Sequence, residues 1–266
     1  MAVITKKVDK LEILRAEGIT VPHCFTTRFG GVSTGELASM NLAIKLDESK
    51  ENVAENYRIL GKELGFSLDD LVLTRQTHST IVRAVDRSDC RGCFHRDYPE
   101  CDALITNTPG ITLTVFTADC TPILFFDPVT GAVGAAHAGW RGTAGNIAGK
   151  TVAAMTEHFG CKPENIRCAI GPNIAQCCFE TDADVPDAMA AALADEAWES
   201  ILQKGNKYYV NLKTINAALL RRAGVRCIEI SDACTACDTQ RFWSHRKVGD
   251  RRGSQGALIV CKEVRK

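Results

Sequence analysis

Charge of one sign is missing from this chain. Its 266 residues carry 32 basic and 32 acidic side chains and no formal net charge, which removes any electrostatic case for a general nucleic-acid or membrane-surface binder. No apolar run approaches the ~20 residues of a membrane span. The opening MAVITKKVDKLEILRAEG lacks the apolar core of a secretory signal, so a cytoplasmic protein is expected. There is no HExxH, which argues against a zincin protease, and no H-x-E followed by P-C-x-x-C, which argues against a cytidine-deaminase-type zinc site. No Rossmann fingerprint or P-loop occurs, and the glycines of 142–149 fall at the wrong spacing. Histidine is scarce: there are six, none in the His-x-His pair typical of multicopper centres, which argues against that chemistry. No internal repeat, low-complexity stretch or linker divides residues 1–266, which are read as one domain.

Cysteine, by contrast, is abundant. Thirteen is an odd number, so the thiols cannot all pair internally. They lie in apolar strands (Cys168, Cys227, Cys261) and polar loops alike, unlike a short secreted disulfide framework. A reduced protein is the better reading, with most of these side chains acting as small buried hydrophobes.

Periodicity predicts strands at 71–77, 81–86, 103–107, 111–118, 166–170, 227–230 and 257–261, with a strand and glycine loop at 19–33. Helices are expected at 51–64, 143–159, 186–198 and 212–223. In the first, Val53, Tyr57, Leu60 and Leu64 recur at helical spacing before Gly65; in the second, Ala148, Val152, Met155 and Phe159 form one stripe before Gly160. Asn211 is a plausible N-cap for the last. Strands stand both in hairpins and beside helices, so the expected class is α+β with a mixed sheet.

The segment 117–142 carries most of the chemistry. It runs TADC, an apolar strand (121–127), a PVTG turn (128–131), a returning strand (132–136) and then AHAGWRG. A turn centred near Val129 sets the sum of paired residue numbers near 258. Cys120 and His137 sum to 257 and so should meet at the open end of the hairpin, either as a metal site or as a Cys–His nucleophile. His78, in TRQTHS at a strand end, makes the set His₂Cys, the three-ligand pattern of catalytic zinc. Asp119 either orients a ligand and serves as general base or is a turn aspartate.

Trp140-Arg141-Gly142 opens a helix, where free N–H groups and Arg141 would suit an anion; Arg28 in RFGGVS offers a second basic, glycine-rich element. The loop 89–101 holds Cys90, Cys93, His95 and Cys101, at a spacing that matches no standard zinc finger; a reduced surface loop is the simpler reading. Cys234-x-x-Cys237 lacks a surrounding thioredoxin-like βαβ pattern, so local packing is expected. His158 sits in a last helical turn, where the dipole favours it and no function is needed.

Together TRQTHS, CDALITNTPGITLTVFTADCTPILFFDP, AAHAGWRGTAGNI, IGPNIAQCCFE, SDACTACDTQRFWSHRK and the ALIV run resemble the purine nucleoside phosphorylase family. It is also called the laccase-domain or multicopper polyphenol oxidase family and includes the YfiH and YlmD proteins. The resemblance implies a single α+β domain with a mixed β-sandwich flanked by helices and one zinc on His78, Cys120 and His137, with copper the less favoured metal. It implies phosphorolysis of adenosine, inosine and methylthioadenosine, plus adenosine deamination. Purine nucleosides and inorganic phosphate are then the partners, with no nucleic acid or membrane involved. On this basis Asp119 joins the metal trio as a catalytic candidate, and Arg28, Gln76, Arg141 and Arg246 are the substrate or phosphate contacts. The family's fold is also similar to that of certain cysteine hydrolases, which keeps a Cys120–His137 nucleophile as one alternative, a copper-dependent polyphenol oxidase being the other. Two departures stand out: the 89–101 loop is long and thiol-rich, and Ser244-His245-Arg246-Lys247 occupies the place of the family's usual double arginine.

Overall fold

Strands buried over every residue, such as Thr121–Phe126 and Val133–Ala138, must be covered on both faces, and the architecture supplies both covers. The computed structural model describes residues 2–43, 49–94 and 98–263. A first six-stranded sheet runs, in spatial order, Val3–Val8, Leu11–Ala16, His23–Thr26, Gln255–Val260, Thr112–Thr117 and Leu71–Leu73. All its pairs are antiparallel except the last. A second runs Cys227–Ile230, Arg167–Ile170, Thr121–Phe126, Val133–Ala138, Ala103–Thr106 and Val82–Ala84. Its centre is antiparallel and its two edge pairs are parallel. A small third sheet pairs Lys207–Val210 with Glu180–Thr181 and Ile201–Lys204.

The period-two alternation of a strand assigns the faces. Leu124 and Phe126 join Leu113, Val115 and Leu258 of the first sheet in one apolar cluster, the interior of the sandwich. Ile123 and Phe125, pointing the other way, join Ile147, Val152, Met155, Ile215 and Leu219 in a second cluster beneath the helices Ile147–Phe159, Asp184–Leu193 and Leu212–Arg222. Helix Lys50–Leu64 packs its Val53, Tyr57, Leu60 and Leu64 stripe into the first cluster. It is capped by Ser49, which accepts from Asn52 N–H, and ended by Gly65 at φ 74°. The α+β class with a mixed sandwich flanked by helices is therefore what forms.

Several boundaries differ from expectation. The helix expected at 143–159 starts earlier and breaks: Trp140–Ala144 and Ile147–Phe159 are separated at Asn146, whose φ of 59° leaves the helical region while its side chain caps Gly149 N–H. The 186–198 helix begins at Asp184 and ends at Leu193, where a 3₁₀ segment, Ala194–Ser200, takes over. The hairpin register is also shifted. Four residues separate Asp127 from Ala132, so paired numbers sum to 259: Pro122 faces His137, and Cys120 runs on toward Gly139.

Candidate active site

Where the two sheets part, Thr74, Phe116 and Thr117 of one wall face Cys120 and His137 of the other across a cleft of about 280 Å³. His137 continues the face that begins with Val133 and Ala135, so its ring emerges from the sandwich interior and is 3% exposed. Cys120 follows the tight bend at Asp119, whose φ is 89°. His78 also adopts left-handed backbone, at φ 59°, a conformation that costs a non-glycine residue roughly 1–2 kcal/mol. The backbone is held there by Asp102.

Asp102 is wholly buried and the sequence reading missed it. Its Oδ1 accepts from His137 Nδ1 at 2.8 Å and from the amide of His78 at 3.1 Å. Its Oδ2 accepts from the amides of Thr77 and Ser79 and from the Ser79 hydroxyl. One carboxylate thus fixes the His78 loop and the tautomer of His137, leaving His137 Nε2 free for a ligand. Burial alone would push Asp102 up, but the bonds from His137 and Ser79 hold it at about 2.

The trio assembles around that anchor. The ligand atoms of His78, Cys120 and His137 lie within 4.8 Å of one another. Cys120 Sγ is 3.9 Å from His78 Nε2, and the two imidazoles meet edge to face with centroids 5.0 Å apart. Burial pushes the Cys120 thiol up, yet His137 and then His78 beside it bring it down to about 6. Burial draws His137 down, and Cys120 and Asp102 together raise it to about 9. A thiolate with two imidazoles at these separations fits one metal ion, since tetrahedral zinc spaces its sulfur and nitrogen donors by roughly 3.5 Å. Gly139 gives the trio its room: a Cβ there would lie 2.8 Å from His78 Cδ2 and 3.2 Å from Cys120 Sγ.

The other expected residues scatter around this centre. Gln76 lines the cleft and is locked to the Phe116 backbone, donating to its carbonyl at 2.8 Å and accepting from its amide at 2.7 Å. Asp119 is bound elsewhere, accepting from Thr235 Oγ1, Ser244 Oγ and the Arg246 amide. Arg246 donates to the carbonyls of Cys178 and Glu180, Arg28 stacks 3.8 Å over Trp243 and donates to Thr239 and Ala38, and Arg141 lies over Trp140. None of these three arginines lines the cleft; Arg252 does, with a buried Nε that has no hydrogen-bond partner. Nothing in its local sequence, GDRRGS, distinguished it from a surface arginine. His245 is half-exposed and faces Asp250 at 3.7 Å.

Of the thiol-rich loop, His95 lies outside the described residues. Cys93 and Cys101 are buried in the sandwich cluster, and Cys90 donates to the Asp70 carbonyl. Cys234 and Cys237 do not simply pack locally, as their motif suggested: their thiols gather with those of Cys177 and Cys178. Among the described residues no helix is long and apolar enough to cross a membrane.

Known proteins share this frame. A purine nucleoside phosphorylase of Deinococcus radiodurans is 40% identical over 253 residues, covering 94% of this chain and 92% of the relative. An adenosine deaminase of an unknown prokaryotic organism is 34% identical, covering 93% and 96%. The crystal structure of the hypothetical protein YfiH of Bacillus licheniformis superposes with a TM-score of 0.90 at 32% identity, over 97% of this chain and 99% of that one. The sequence pattern described as multi-copper polyphenol oxidoreductase laccase matches residues 22–262. Since that match takes in both walls of the cleft, Asp102 and all three members of the trio, the chain belongs to the multi-copper polyphenol oxidoreductase laccase family.

Proposed function

We propose that this chain is a zinc-dependent purine nucleoside phosphorylase that also deaminates adenosine. Adenosine, inosine or methylthioadenosine would react with inorganic phosphate to give the free base and the ribose 1-phosphate. The observation that carries the reading is the His78–Cys120–His137 trio, set in a cleft that also presents the Arg252 guanidinium. The names of the relatives support the substrate class. The cleft volume lies near the ~300 Å³ lower end for ligand sites, which suits one nucleoside rather than a polymer. The same reading treats residues 1–266 as one domain working in a reducing, cytoplasmic compartment, without nucleic acid or membrane as partner.

His78, Cys120 and His137 would hold the ion, with Asp102 keeping His137 Nε2 aimed at it. When bound, zinc supplies a Lewis acid and lowers the pKa of water toward neutrality. Zinc is preferred to a multicopper centre, because the six histidines include no His-x-His pair to build a trinuclear site. Phosphorolysis breaks the bond from the purine to the anomeric carbon as a phosphate oxygen arrives. Arg252 is the cation placed to steady that phosphate. Arg28, Arg141 and Arg246 act at the periphery, where their guanidinium groups are committed to carbonyls or aromatic rings. Asp119 becomes a positioning residue rather than a proton carrier, since both its oxygens are occupied by Thr235, Ser244 and Arg246.

The test is to incubate the purified protein with inosine and phosphate and look for hypoxanthine and ribose 1-phosphate. His78→Ala should abolish the reaction, whereas a zinc-free preparation with full turnover would refute the metal reading. A second reading has its own observation: the Cys120 thiol lies within 4.8 Å of His137, which Asp102 orients, in the order of nucleophile, base and orienting acid. It predicts covalent labelling of Cys120 by iodoacetamide during turnover of an ester or amide. The third ligand, His78, held in left-handed backbone beside the thiol, has no task in that dyad and favours the metal.

A further inference from the structure

Four thiols far apart in sequence converge outside the cleft. Cys177 and Cys178 lie in the turn that ends the GPNIAQCC loop; Cys234 and Cys237 lie after strand Cys227–Ile230. Their sulfur separations are 3.8 Å for Cys177–Cys178, 3.9 Å for Cys177–Cys234, 3.6 Å for Cys177–Cys237 and 3.4 Å for Cys178–Cys237. All four atoms lie within 4.8 Å of one another. Four sulfurs bound to zinc at ~2.3 Å in a tetrahedron are about 3.8 Å apart along every edge. Two disulfides would instead need S–S bonds of about 2.0 Å within the set, and no pair approaches that.

The surroundings are those of a thiolate cage rather than of packed thiols. Cys234 Sγ accepts from the Ala175 amide at 3.3 Å. Such an N–H donor offsets negative charge on sulfur. Lys213 is 5% exposed, donates to the Ala233 carbonyl, and has no carboxylate within ion-pair distance among the described residues. A buried ammonium calls for nearby anions; Asp232 acts on it from beyond ion-pair distance, and a zinc tetrathiolate that includes Cys177 and Cys234, with two net negative charges, would be another.

We propose that Cys177, Cys178, Cys234 and Cys237 bind a second, structural zinc ion. The set is closed by four protein sulfurs, so it leaves no open position for substrate. Its role follows from what it joins. The 171–178 loop gives the Ile174 amide to the Asp119 carbonyl, and the 234–246 segment gives Thr235, Ser244 and Arg246 to the Asp119 carboxylate. Fastening these two segments fixes the bend that presents Cys120.

Native mass spectrometry of the full chain, purified reduced and dialysed, should count two zinc ions. His78→Ala should lose one, and Cys234→Ser with Cys237→Ser should lose the other while His78 and Cys120 keep theirs. If the double variant does not fold, the His78→Ala protein loaded with cobalt(II) decides. Intense sulfur-to-cobalt charge-transfer bands of a tetrahedral tetrathiolate are expected, and their absence would overturn the proposal. Peptide mapping that finds Cys177 or Cys178 in a disulfide with Cys234 or Cys237 would overturn it too. Failure of nucleoside turnover alone would count against the proposed activity and leave this zinc count unchanged.

Discussion

The 2.8 Å bond between His137 Nδ1 and Asp102 Oδ1 joins neighbouring strands within one wall of the cleft. The same carboxylate ties down the amides of Thr77, His78 and Ser79, so a single side chain sets both imidazoles. Asp102→Asn keeps the shape but turns one acceptor into a donor that faces donors. Losing an orienting partner of this kind typically costs 10–100-fold in metal affinity. The expected result is a fall of about that size, read by competition with a chromophoric chelator. Unchanged affinity would mean that His137 is oriented by packing alone.

Gly139 is required for space, since its φ of −65° is open to any residue. Gly139→Ala should fold and lose zinc, because the new methyl meets His78 and Cys120, and most of its fall in melting temperature should disappear when it is compared with the zinc-free parent. Gly160→Ala is the opposite control. At φ 66°, with no atom within 4 Å of where a Cβ would stand, it should cost roughly 1 kcal/mol of stability and leave zinc content intact. Thermal melts and metal analysis of both proteins would separate the two effects.

How far the site could be read in advance depended on range. The trio lay in short segments of unusual composition, TRQTHS, TADC and HAGWRG, and the hairpin brought Cys120 and His137 together even though its register was off by one. Asp102 escaped notice because it precedes an ordinary apolar strand, and the five bonds to its carboxylate come from four residues 23 to 35 positions away. The Cys234-x-x-Cys237 motif looked idle because its complement, Cys177 and Cys178, stands 57 residues earlier. The hairpin Val3–Val8/Leu11–Ala16 was missed for a local reason: its turn uses Asp9 at φ 52° with Lys10, without the glycine that usually signals such a turn.

Arg252 is the phosphate candidate the fold brings forward. Arg252→Gln should raise the KM for phosphate at least tenfold while leaving the KM for inosine within about twofold, tenfold corresponding to ~1.4 kcal/mol of lost binding. Arg141→Gln should change neither by as much, since that side chain lies over Trp140 rather than in the cleft. Steady-state kinetics with each substrate varied would reverse the assignment if Arg141 proved the more sensitive.

Asp119 separates a positioning role from a chemical one. Asp119→Asn leaves three donors sharing a weaker acceptor, so stability should fall by about 1–3 kcal/mol. Turnover should fall with little change in the shape of its pH profile, because no proton carrier has been removed. Loss of one limb of that profile, with stability retained, would restore Asp119 as general acid or base.

His23 makes the fold itself acid-sensitive. Its Nε2 accepts from the Ala16 amide at 2.9 Å and its Nδ1 donates to the Val21 carbonyl at 2.8 Å, so only the neutral ring satisfies both partners. Burial is the main cause that lowers it from 6.5 to about 4, with Arg15 assisting. A folded-state pKa below the unfolded one means that the unfolded chain takes the proton first. Stability from this group is therefore complete above about pH 6.5 and is lost as pH falls toward 4, by roughly 3 kcal/mol in all. Urea melts at pH 7 and pH 4.5 should show the loss in the parent protein. In His23→Gln, less stable at pH 7, the gap between the two pH values should shrink by most of that amount; parallel curves for the two proteins would assign the acid sensitivity elsewhere.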